Sequence, residues 1–304
     1  MEFTKEQMEE FGQEDYYRYM MAGKLFMRSQ IDAQGYDEEG NNIVFEVKTR
    51  ATAPLRYEIK NYIDYLDYEI VKFRGHHSSF EREFYDLIRG GLLKYIMQMK
   101  IGRMQGAAIA YHNTQQIFGF EYLQLEKMEN RIFGCSEFSD VVFSSSLGLL
   151  EKILDHILDD KFADDFSNNK NASDTYRVGF YANEQKRTLD VLVESFESDE
   201  IYLERFKDYY QPQYMKDPID YYLTHKVVPK VVKYTVGIYP VLNGVFIDYA
   251  PILFEQGDHL DVKYTIQRAG PVKFNDYMKF LHEAYKSDQL NMYNEYAGSW
   301  SFIQ

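Results

Sequence analysis

The sequence predicts an α/β protein, in which a mixed sheet flanked by helices is followed by a β-rich second half. Two short β-type segments joined by a turn lie near the N-terminus. An amphipathic helical segment and a further β-type segment follow, which completes a ββαβ unit. Beyond residue 175 β-type segments dominate, and Asn243-Gly244 between two β-branched runs is a strong hairpin signal.

The first elements follow from turn signals and apolar spacing. We predict a helix at Lys5–Met21 and a strand at Lys24–Asp32. The segment Ala33–Asn42 is rich in Gly, Asn and acidic residues, which is typical of a hairpin loop. A second strand is predicted at Ile43–Thr49, and Pro54 ends regular pairing shortly after it, because proline cannot donate a ladder hydrogen bond.

A long amphipathic helix is the clearest predicted element. Apolar residues recur at helical spacing over Ser78–Met104, and Ser78 with Glu81 three residues later forms a capping-box pattern. Gly90-Gly91 is expected to kink this helix. The segments after it are predicted as strands at Ala107–His112 and Ile117–Leu123 and a helix at Leu147–Leu158, with Ser144, Ser145 and Ser146 as its N-cap.

A polar, turn-forming segment, DDFSNNKNASD at residues 164–174, predicts a boundary. We therefore divide the chain into a core region, residues 1–163, and a β-rich region, residues 164–304. The sequence leaves open whether the second region packs into the same domain. Its predicted elements are strands at Tyr176–Tyr181, Thr188–Phe196, Val231–Val241, Val245–Leu253 and Asp261–Gln267 and a closing helix at Lys273–Tyr285.

Composition restricts the class of protein. The chain has 304 residues, of which 45% are hydrophobic, so it can bury a substantial core. Its single cysteine, Cys135, excludes an internal disulfide and a structural zinc site, which suits a reducing, intracellular compartment. No apolar stretch is long enough to predict a membrane span. The N-terminal residues resemble neither a secretory signal nor an arginine-rich transit peptide, so we expect no targeting segment on this chain.

The net charge of −14 argues against nucleic-acid binding, which uses Lys and Arg for phosphate contacts. The charge is unevenly distributed, however. Residues 21–130 contain 14 Lys and Arg against 15 Asp and Glu, whereas the rest of the chain contains 20 against 33. The middle of the chain is therefore nearly neutral, and a local basic groove is compatible with it.

Asp32, Glu46 and Lys48 form the candidate site. Glu46 and Lys48 are two residues apart on a predicted strand and so face the same side, and Asp32 can reach them across the hairpin. Adjacent carboxylates repel unless a cation joins them. A Mg²⁺ or Mn²⁺ ion held by such carboxylates beside a lysine would support phosphodiester hydrolysis. The alternative is that Glu46 and Lys48 form a solvated strand face, the usual place for charged residues on a strand.

Several runs across Lys24–Leu125 resemble a fungal family of mitochondrial RNA-processing and turnover proteins. The matching runs are KLFMRSQID, FEVKTRA, SFEREFYDLIRGGLLKY, GAAIAYHNT and IFGFEYLQL. That family is tied to 5′-end processing and 5′-to-3′ degradation of mitochondrial transcripts and is assigned to the PD-(D/E)xK nucleases. The resemblance therefore implies a PD-(D/E)xK nuclease-like core and a mitochondrial location.

The resemblance also implies roles for individual residues. Asp32 and Glu46 would be metal ligands and Lys48 the catalytic lysine, with Glu46-Val47-Lys48 standing where family members commonly have Asp-Leu-Lys. Glu14 would supply a further metal-binding acid from the first helix. The other residues inside the shared motifs, expected to bind phosphate or brace the site, are Arg28, Gln30, Arg50, Glu81 and Arg82.

Two further observations leave alternatives open. Arg50, Arg56 and Lys60 follow the site and could grip phosphates, or could be ordinary surface charges. Arg82 heads the long helix, whose N-terminus favours a phosphate, whereas Glu81 beside it could simply cap the helix.

These patterns lead to one expected function and two alternatives. The resemblance implies a ribonuclease that depends on Mg²⁺ or Mn²⁺ and digests single-stranded RNA from the 5′ end, in company with other RNA-degradation proteins. The first alternative is a catalytically inactive nuclease fold kept as an RNA-binding or scaffolding subunit, which the acidic net charge favours. The second is a DNA exonuclease, since the same core serves both polymers.

Overall fold

A computed structural model describes residues 16–36, 39–160, 176–183, 186–196, 222, 228–248 and 252–283, and every structural statement below refers to these residues. The chain divides into two compact units. Of the described residues, those up to Leu147 belong to the first unit and those from Gly148 onward belong to the second. The boundary predicted between residues 163 and 164 lies outside the described residues.

The first unit is mixed α/β. Its strands are β1 (Tyr17–Ala22), β2 (Leu25–Gln30), β3 (Ala33–Tyr36), β4 (Asn42–Ala51), β5 (Gly106–His112) and β6 (Ile117–Gln124). Its helices are α1 (Ala53–Tyr57), a 3₁₀ helix (Ile59–Tyr65), α2 (Phe80–Gly90), α3 (Leu92–Gly102) and α4 (Leu125–Ile132). The long helix α5 (Ser136–Asp159) contains the boundary between the two units.

Two sheets form in this unit. Strands β3, β4, β5 and β6 lie side by side in that order, with β4 and β5 parallel and the other pairs antiparallel. The parallel pair is possible because α2 and α3 lie between β4 and β5 in the chain and provide the crossover. Strands β1 and β2 form a separate two-stranded antiparallel ribbon.

Two of the N-terminal predictions are wrong. The end of the helix predicted at Lys5–Met21 is strand β1, because Tyr17–Ala22 pairs with β2 along its whole length; residues 5–15 lie outside the described part of the chain. The segment predicted as a hairpin loop contains β3, which pairs with the first half of β4. The antiparallel partner of β4 is therefore β3, and not the strand predicted at Lys24–Asp32.

The predicted long helix is divided at Gly91 into α2 and α3, where the glycine pair was expected to kink it. The predicted cap is wrong by one residue. Ser79, and not Ser78, is the N-cap of α2: its Oγ accepts a hydrogen bond from the backbone nitrogen of Arg82 at 3.1 Å. Ser78 instead has a positive φ of 51°, so the chain turns there before the helix starts.

The serine run is also not an N-cap, because it lies inside α5. The hydroxyl of Ser144 donates to the carbonyl of Asp140 at 2.8 Å, and that of Ser146 donates to the carbonyl of Val142 at 2.8 Å. These bonds to the preceding turn let serine sit in a helix interior.

The core of the first unit lies between one face of the sheet and helices α2, α3 and α4. Along β4 buried and less buried residues alternate, as expected for a strand with one covered face. The buried apolar residues of this core are Val44, Leu87, Leu92, Tyr95, Ile96, Met99, Met104, Ala107, Ile109, Tyr111, Leu123 and Met128. Strand β4 therefore turns the face that carries Val44 towards these helices.

The second unit is β-rich, as predicted. It contains β7 (Tyr176–Asn183), β8 (Thr188–Ser195), β9 (Lys230–Leu242), β10 (Val245–Phe246), β11 (Leu260–Pro271) and helix α6, residues 274–283. Strands β10, β9, β8 and β7 are neighbours in that order, and β11 also pairs with β9.

The Asn243-Gly244 hairpin is confirmed. Both residues have positive φ, 50° and 82°, and they connect β9 to β10. The strand predicted from Val245 is shorter than expected, because β10 ends at Phe246. Among the described helices, none has the length and apolar character needed to cross a membrane.

Candidate active site

Glu46 and Lys48 lie on the covered face of β4. Only 2% of Glu46 and 4% of Lys48 is exposed, whereas Val47 between them is 43% exposed. The two charged residues thus replace apolar side chains in the row that begins at Val44. This burial contradicts the alternative of a solvated strand face. Charged groups are rarely buried so completely unless they are paired, so the pair needs partners in the interior.

The partners come from each other and from α3. Nζ of Lys48 bonds to Oε1 of Glu46. The amide of Gln98 donates to the same Oε1 at 2.6 Å. Nζ of Lys48 also lies 5.8 Å from the ring centroid of Tyr95, one turn before Gln98 on α3. Helix α3 therefore fixes both members of the ion pair.

Asp32 contacts strand β4 at the residue between Glu46 and Lys48. It lies between β2 and β3, and its Oδ2 accepts a hydrogen bond from the backbone nitrogen of Val47 at 3.0 Å. Pairing of Ala33 with Phe45 places Asp32 level with Glu46 across the hairpin. The structure therefore brings Asp32, Glu46 and Lys48 together, although Asp32 reaches them from the start of β3.

The electrostatics of Glu46 are unusual. Burial raises the pKa of its carboxyl group, Lys48 opposes that rise, and the negative charge of Asp32 adds to it. Its second oxygen, Oε2, is buried and has no hydrogen-bond partner among the described residues. A buried carboxylate oxygen without a partner is costly, by about 1–3 kcal/mol or more. A site with this property fits an additional positive group.

The donors present fit a hard divalent cation. Two neighbouring carboxylates offer the oxygen ligands that Mg²⁺ and Mn²⁺ prefer, with substrate oxygens and water completing the coordination shell. In the described part of the chain, no group of three or more His, Cys, Asp or Glu residues is arranged to hold a metal. Glu14, the further predicted ligand, lies outside the described residues.

Two predicted substrate-binding residues, Arg28 and Gln30, lie on the exposed face of the β1–β2 ribbon. The guanidinium carbon of Arg28 is 4.3 Å from the ring centroid of Tyr17. Neither residue contributes to the ion pair of Glu46 and Lys48. They lie four and two residues before Asp32 in the chain.

Arg50 follows Lys48 on the same face of β4 and is half-buried. Burial lowers the pKa of its guanidinium group, and the positive charge of Arg56 lowers it further. A Cβ atom on Gly91 would lie 3.8 Å from Nη1 of Arg50, at ordinary van der Waals distance, so the guanidinium lies against the junction between α2 and α3. Its Nε is buried without a hydrogen-bond partner among the described residues.

Arg82 and Glu81 have local partners. Nη2 of Arg82 lies 3.5 Å from Oδ1 of Asp86 one turn later. Glu81 accepts a hydrogen bond from the backbone nitrogen of Gly75 at 2.7 Å. Glu81 therefore fastens the loop before α2, and the role of helix cap considered for it is wrong, because Ser79 is the N-cap.

Arg56 is a structural residue, so neither alternative considered for it, a phosphate contact or an ordinary surface charge, is correct. It is 9% exposed and pairs with Glu83 at 3.0 Å and with Asp86 at 3.2 Å. Glu83 also accepts a hydrogen bond from the backbone nitrogen of Ala53 at 2.8 Å. The network therefore ties the chain just after β4 to helix α2.

Gln98 and Tyr95 were not predicted as site residues. The available signal was weak: Gln98 is the one uncharged amide in the otherwise mostly apolar run LLKYIMQMKIG. It is half-buried on α3 and lies three residues after the buried Tyr95. A polar side chain on the covered part of an apolar helix indicates a polar partner inside the protein.

Comparison with known proteins identifies relatives. A family model described as mitochondrial protein Pet127 matches residues 1–155. The chain is 41% identical over 143 residues to the mitochondrial mRNA degradation protein pet127 of Schizosaccharomyces pombe. The aligned region covers 47% of this chain and 27% of that protein. It is 37% identical over 129 residues to PET127 of Saccharomyces cerevisiae, whose name assigns it provisionally to the mitochondrial translation system.

The second match covers 41% of this chain and 16% of the yeast protein, so the chain spans well under half the length of both relatives. No solved structure shows significant similarity to it. The family match includes the whole Asp32–Glu46–Lys48 site and both helices that enclose it, and it extends over half of the chain. The chain therefore belongs to the Pet127 family of mitochondrial proteins.

Proposed function

We propose that this chain is a divalent-metal-dependent ribonuclease that hydrolyses phosphodiester bonds of single-stranded RNA. The observation that carries the proposal is the buried Glu46–Lys48 pair next to Asp32, with one oxygen of Glu46 left without a partner. Replacing a buried ion pair by apolar residues of similar volume is often neutral or stabilising, so stability alone does not account for this pair.

The arrangement of elements supports a PD-(D/E)xK-type core. The β3–β4 hairpin carries the acids and the lysine, helices α2 and α3 follow, and β5 returns parallel to β4. Such a core presents two carboxylates and a lysine at one edge of the sheet. We propose that fold assignment on this order of elements and on the position of the site within it.

Asp32 and Glu46 would hold Mg²⁺ or Mn²⁺, and Glu14 would be an additional ligand. When bound, the cation supplies Lewis-acid polarisation of the scissile phosphate and lowers the pKa of a water molecule. The residues of this chain do the rest. Water attacks phosphorus and loses a proton to solvent, while the P–O bond to the leaving sugar oxygen breaks and that oxygen takes up a proton from solvent. Nζ of Lys48 would orient the attacking water and stabilise the developing negative charge.

The remaining predicted residues would act around this centre. Arg50 lies two residues beyond Lys48 with a buried, unpartnered Nε, which suits a phosphate close to the site. Arg28 and Gln30 would contact the substrate outside it. Arg82 pairs with Asp86, so we propose that it braces α2.

The name of one relative supports RNA as the substrate. The fission-yeast relative is an mRNA degradation protein of mitochondria. We propose that this chain likewise acts in mitochondrial RNA processing and turnover, as a 5′-to-3′ exonuclease and with other RNA-degradation proteins as partners.

Metal removal tests the proposal. Cleavage of a labelled, 5′-monophosphorylated single-stranded RNA is expected with Mg²⁺ or Mn²⁺ and not in EDTA. Asp32→Asn is expected to weaken Mn²⁺ binding, measured by calorimetry, and to remove cleavage, because one of two ligand carboxylates becomes neutral. Asp64→Asn, which changes an exposed carboxylate of the 3₁₀ helix, is the matched control. Full cleavage in EDTA would reject the metal-dependent reaction.

Gln98 is proposed as a positioning residue. Gln98→Leu removes the hydrogen bond to Oε1 of Glu46 and keeps a good helix former of similar size. Cleavage is expected to fall by roughly 10–100-fold, as is typical for residues that orient a metal ligand. Apparent Mn²⁺ affinity should fall with it, and Gln98→Glu should not restore either. Unchanged metal affinity would contradict this role.

One observation favours a second function. No described group of three or more potential ligands surrounds the site, and Lys48 already neutralises part of Glu46. A catalytically inactive nuclease fold that binds RNA as a scaffold would show RNA binding, no cleavage with any divalent ion, and no effect of Lys48→Ala on binding. A DNA exonuclease would prefer a DNA strand of the same sequence over the RNA.

A further inference from the structure

The β1–β2 ribbon has one face that is unusually rich in exposed aromatic residues. Cross-strand partners share a face of a sheet, so Tyr19 and Arg28 lie side by side, as do Met21 and Phe26. The exposed fractions are 54% for Tyr19, 72% for Met21 and 67% for Phe26. We call this surface the ribbon face; its residues are Tyr17, Tyr19, Met21, Phe26, Arg28 and Gln30.

The aromatic rings of the ribbon face are already arranged in a stack. The centroids of Tyr19 and Phe26 are 5.4 Å apart and their planes differ by 12°. The guanidinium of Arg28 lies over the Tyr17 ring at 4.3 Å. Exposed flat rings are the groups on which unpaired bases stack, and a guanidinium can pair with a phosphate.

The charge of the ribbon is opposite to that of the protein. Residues 17–30 contain Arg18, Lys24 and Arg28 and no acidic residue, although the chain as a whole has a net charge of −14. Arg18 is engaged on the other face, where Nη1 donates to the carbonyl of Arg103 at 2.8 Å. A local positive surface on an acidic protein favours a polyanion over an acidic or apolar protein partner.

The ribbon is continuous with the proposed active site. The backbone nitrogen of Ile31 donates to the carbonyl of Tyr16 at 2.8 Å, and the next residue in the chain is Asp32. The covered face of the ribbon packs against α3, the helix that carries Gln98 and Tyr95. A strand of nucleic acid lying on the ribbon face would therefore lead towards the carboxylates.

We propose that the ribbon face is a stacking platform for the unpaired bases of single-stranded RNA. Tyr19 and Phe26 stack with bases, and Arg28 contacts a phosphate. The inference rests on the proposed ribonuclease function for the identity of the polymer. Paired bases in a duplex are not available for such stacking, so the platform selects single strands.

Binding in EDTA tests the platform separately from catalysis. The probe is a fluorescein-labelled single-stranded RNA of about 12 nucleotides, a length within the usual site sizes, and anisotropy reports its binding to the full chain. The double variant Tyr19→Ala with Phe26→Ala is expected to bind roughly tenfold or more weakly, since stacking on each ring contributes. Phe120→Ala, which removes a 77% exposed aromatic of β6, is the matched control.

An abasic strand of the same length distinguishes stacking from charge. It keeps the phosphates and lacks the bases, so the double variant should bind it as the wild type does. Arg28→Gln should instead reduce the slope of log K against log salt by about 0.7, the value for one phosphate contact on a single strand. Thermal unfolding of each variant confirms that the fold is retained.

The platform would be overturned if the wild type did not bind RNA, if the double variant bound RNA as the wild type does, or if the double variant lost equal affinity for RNA and for the abasic strand. A variant that keeps RNA binding and loses a protein partner would also overturn it. The platform would be supported and the nuclease rejected if the double variant lost affinity for RNA but not for the abasic strand in EDTA, while the wild type cleaved no RNA in Mn²⁺. Metal-dependent cleavage by the wild type, together with unchanged RNA binding by the double variant, would support the nuclease and reject the platform.

Discussion

Lys48→Ala is expected to lower the rate of RNA cleavage by roughly 10²–10³-fold or more, the usual effect of removing one group that stabilises transition-state charge. The ammonium is 4% exposed and lies between Glu46 and the Tyr95 ring. A charge in such a water-poor setting acts more strongly on a nearby phosphate than the same charge at the surface. Single-turnover cleavage of labelled RNA in saturating Mn²⁺ measures the effect.

Metal binding separates a role in the reaction from a role in the fold. In Lys48→Ala both carboxylates remain and a neighbouring positive charge is removed, so Mn²⁺ should bind at least as tightly as in the wild type. Lys127→Met, at an exposed position of α4, is the matched control and should leave cleavage unchanged. Wild-type cleavage by Lys48→Ala would exclude the lysine from the chemistry. Loss of Mn²⁺ binding would show instead that Lys48 only holds the carboxylates in place.

The sequence indicated which residues could form the site because side chains along a strand alternate between its two faces. Glu46 and Lys48 share a face for that reason alone, and the apolar neighbours Phe45 and Val47 indicated a strand. Sequence periodicity could not say which face was covered. In β4 the covered face is the charged one, since α2 and α3 pack on the side of Val44.

Strand β3 shows where local patterns fail. The run AQGY has weak strand propensity and lies in a segment rich in turn-forming residues. It is a strand because β4 provides a partner for all four of its residues. A tertiary contact therefore decided its structure, and it also decided how Asp32 reaches Glu46.

The contacts that complete the site were beyond sequence reasoning for a similar cause. Gln98 and Glu46 are 52 positions apart, and only the packing of α3 on β4 brings them to 2.6 Å. Helix and strand spacings predict which residues share a face, but they do not give the register between two elements. Strand periodicity and the resemblance to a known family both indicated the acids and the lysine, whereas the surrounding polar contacts depend on how α3 packs against β4.

The second large effect is expected on stability, from removing Glu83 in the buried ion-pair network next to the site. Glu83→Ala should destabilise the first unit by about 3–5 kcal/mol, because it leaves a buried guanidinium without one of its two carboxylates. Glu83 is fully buried and binds Arg56 at 3.0 Å and the backbone nitrogen of Ala53 at 2.8 Å. Urea unfolding of the full chain, followed by circular dichroism, measures the change.

Arg56→Met gives an independent check on the same network. It leaves Glu83 and Asp86, both buried, without the cation between them, so a loss of similar size is expected. Glu126→Ala, at an exposed position in the first turn of α4, is the control and should change stability by less than about 1 kcal/mol. A loss below about 1 kcal/mol in Glu83→Ala would contradict the role given to the network.

The network also links stability to the proposed chemistry. Ala53 follows directly after β4, so the Glu83 bond fastens the end of the strand that carries Glu46 and Lys48 onto helix α2. An active site needs its groups held within a fraction of an ångström, and such positioning depends on supporting contacts of this kind. Glu83→Ala is therefore expected to lower cleavage even at temperatures where the variant is still folded, while Glu126→Ala is not. Cleavage that stayed at the wild-type rate in folded Glu83→Ala would show that β4 holds the site without this attachment.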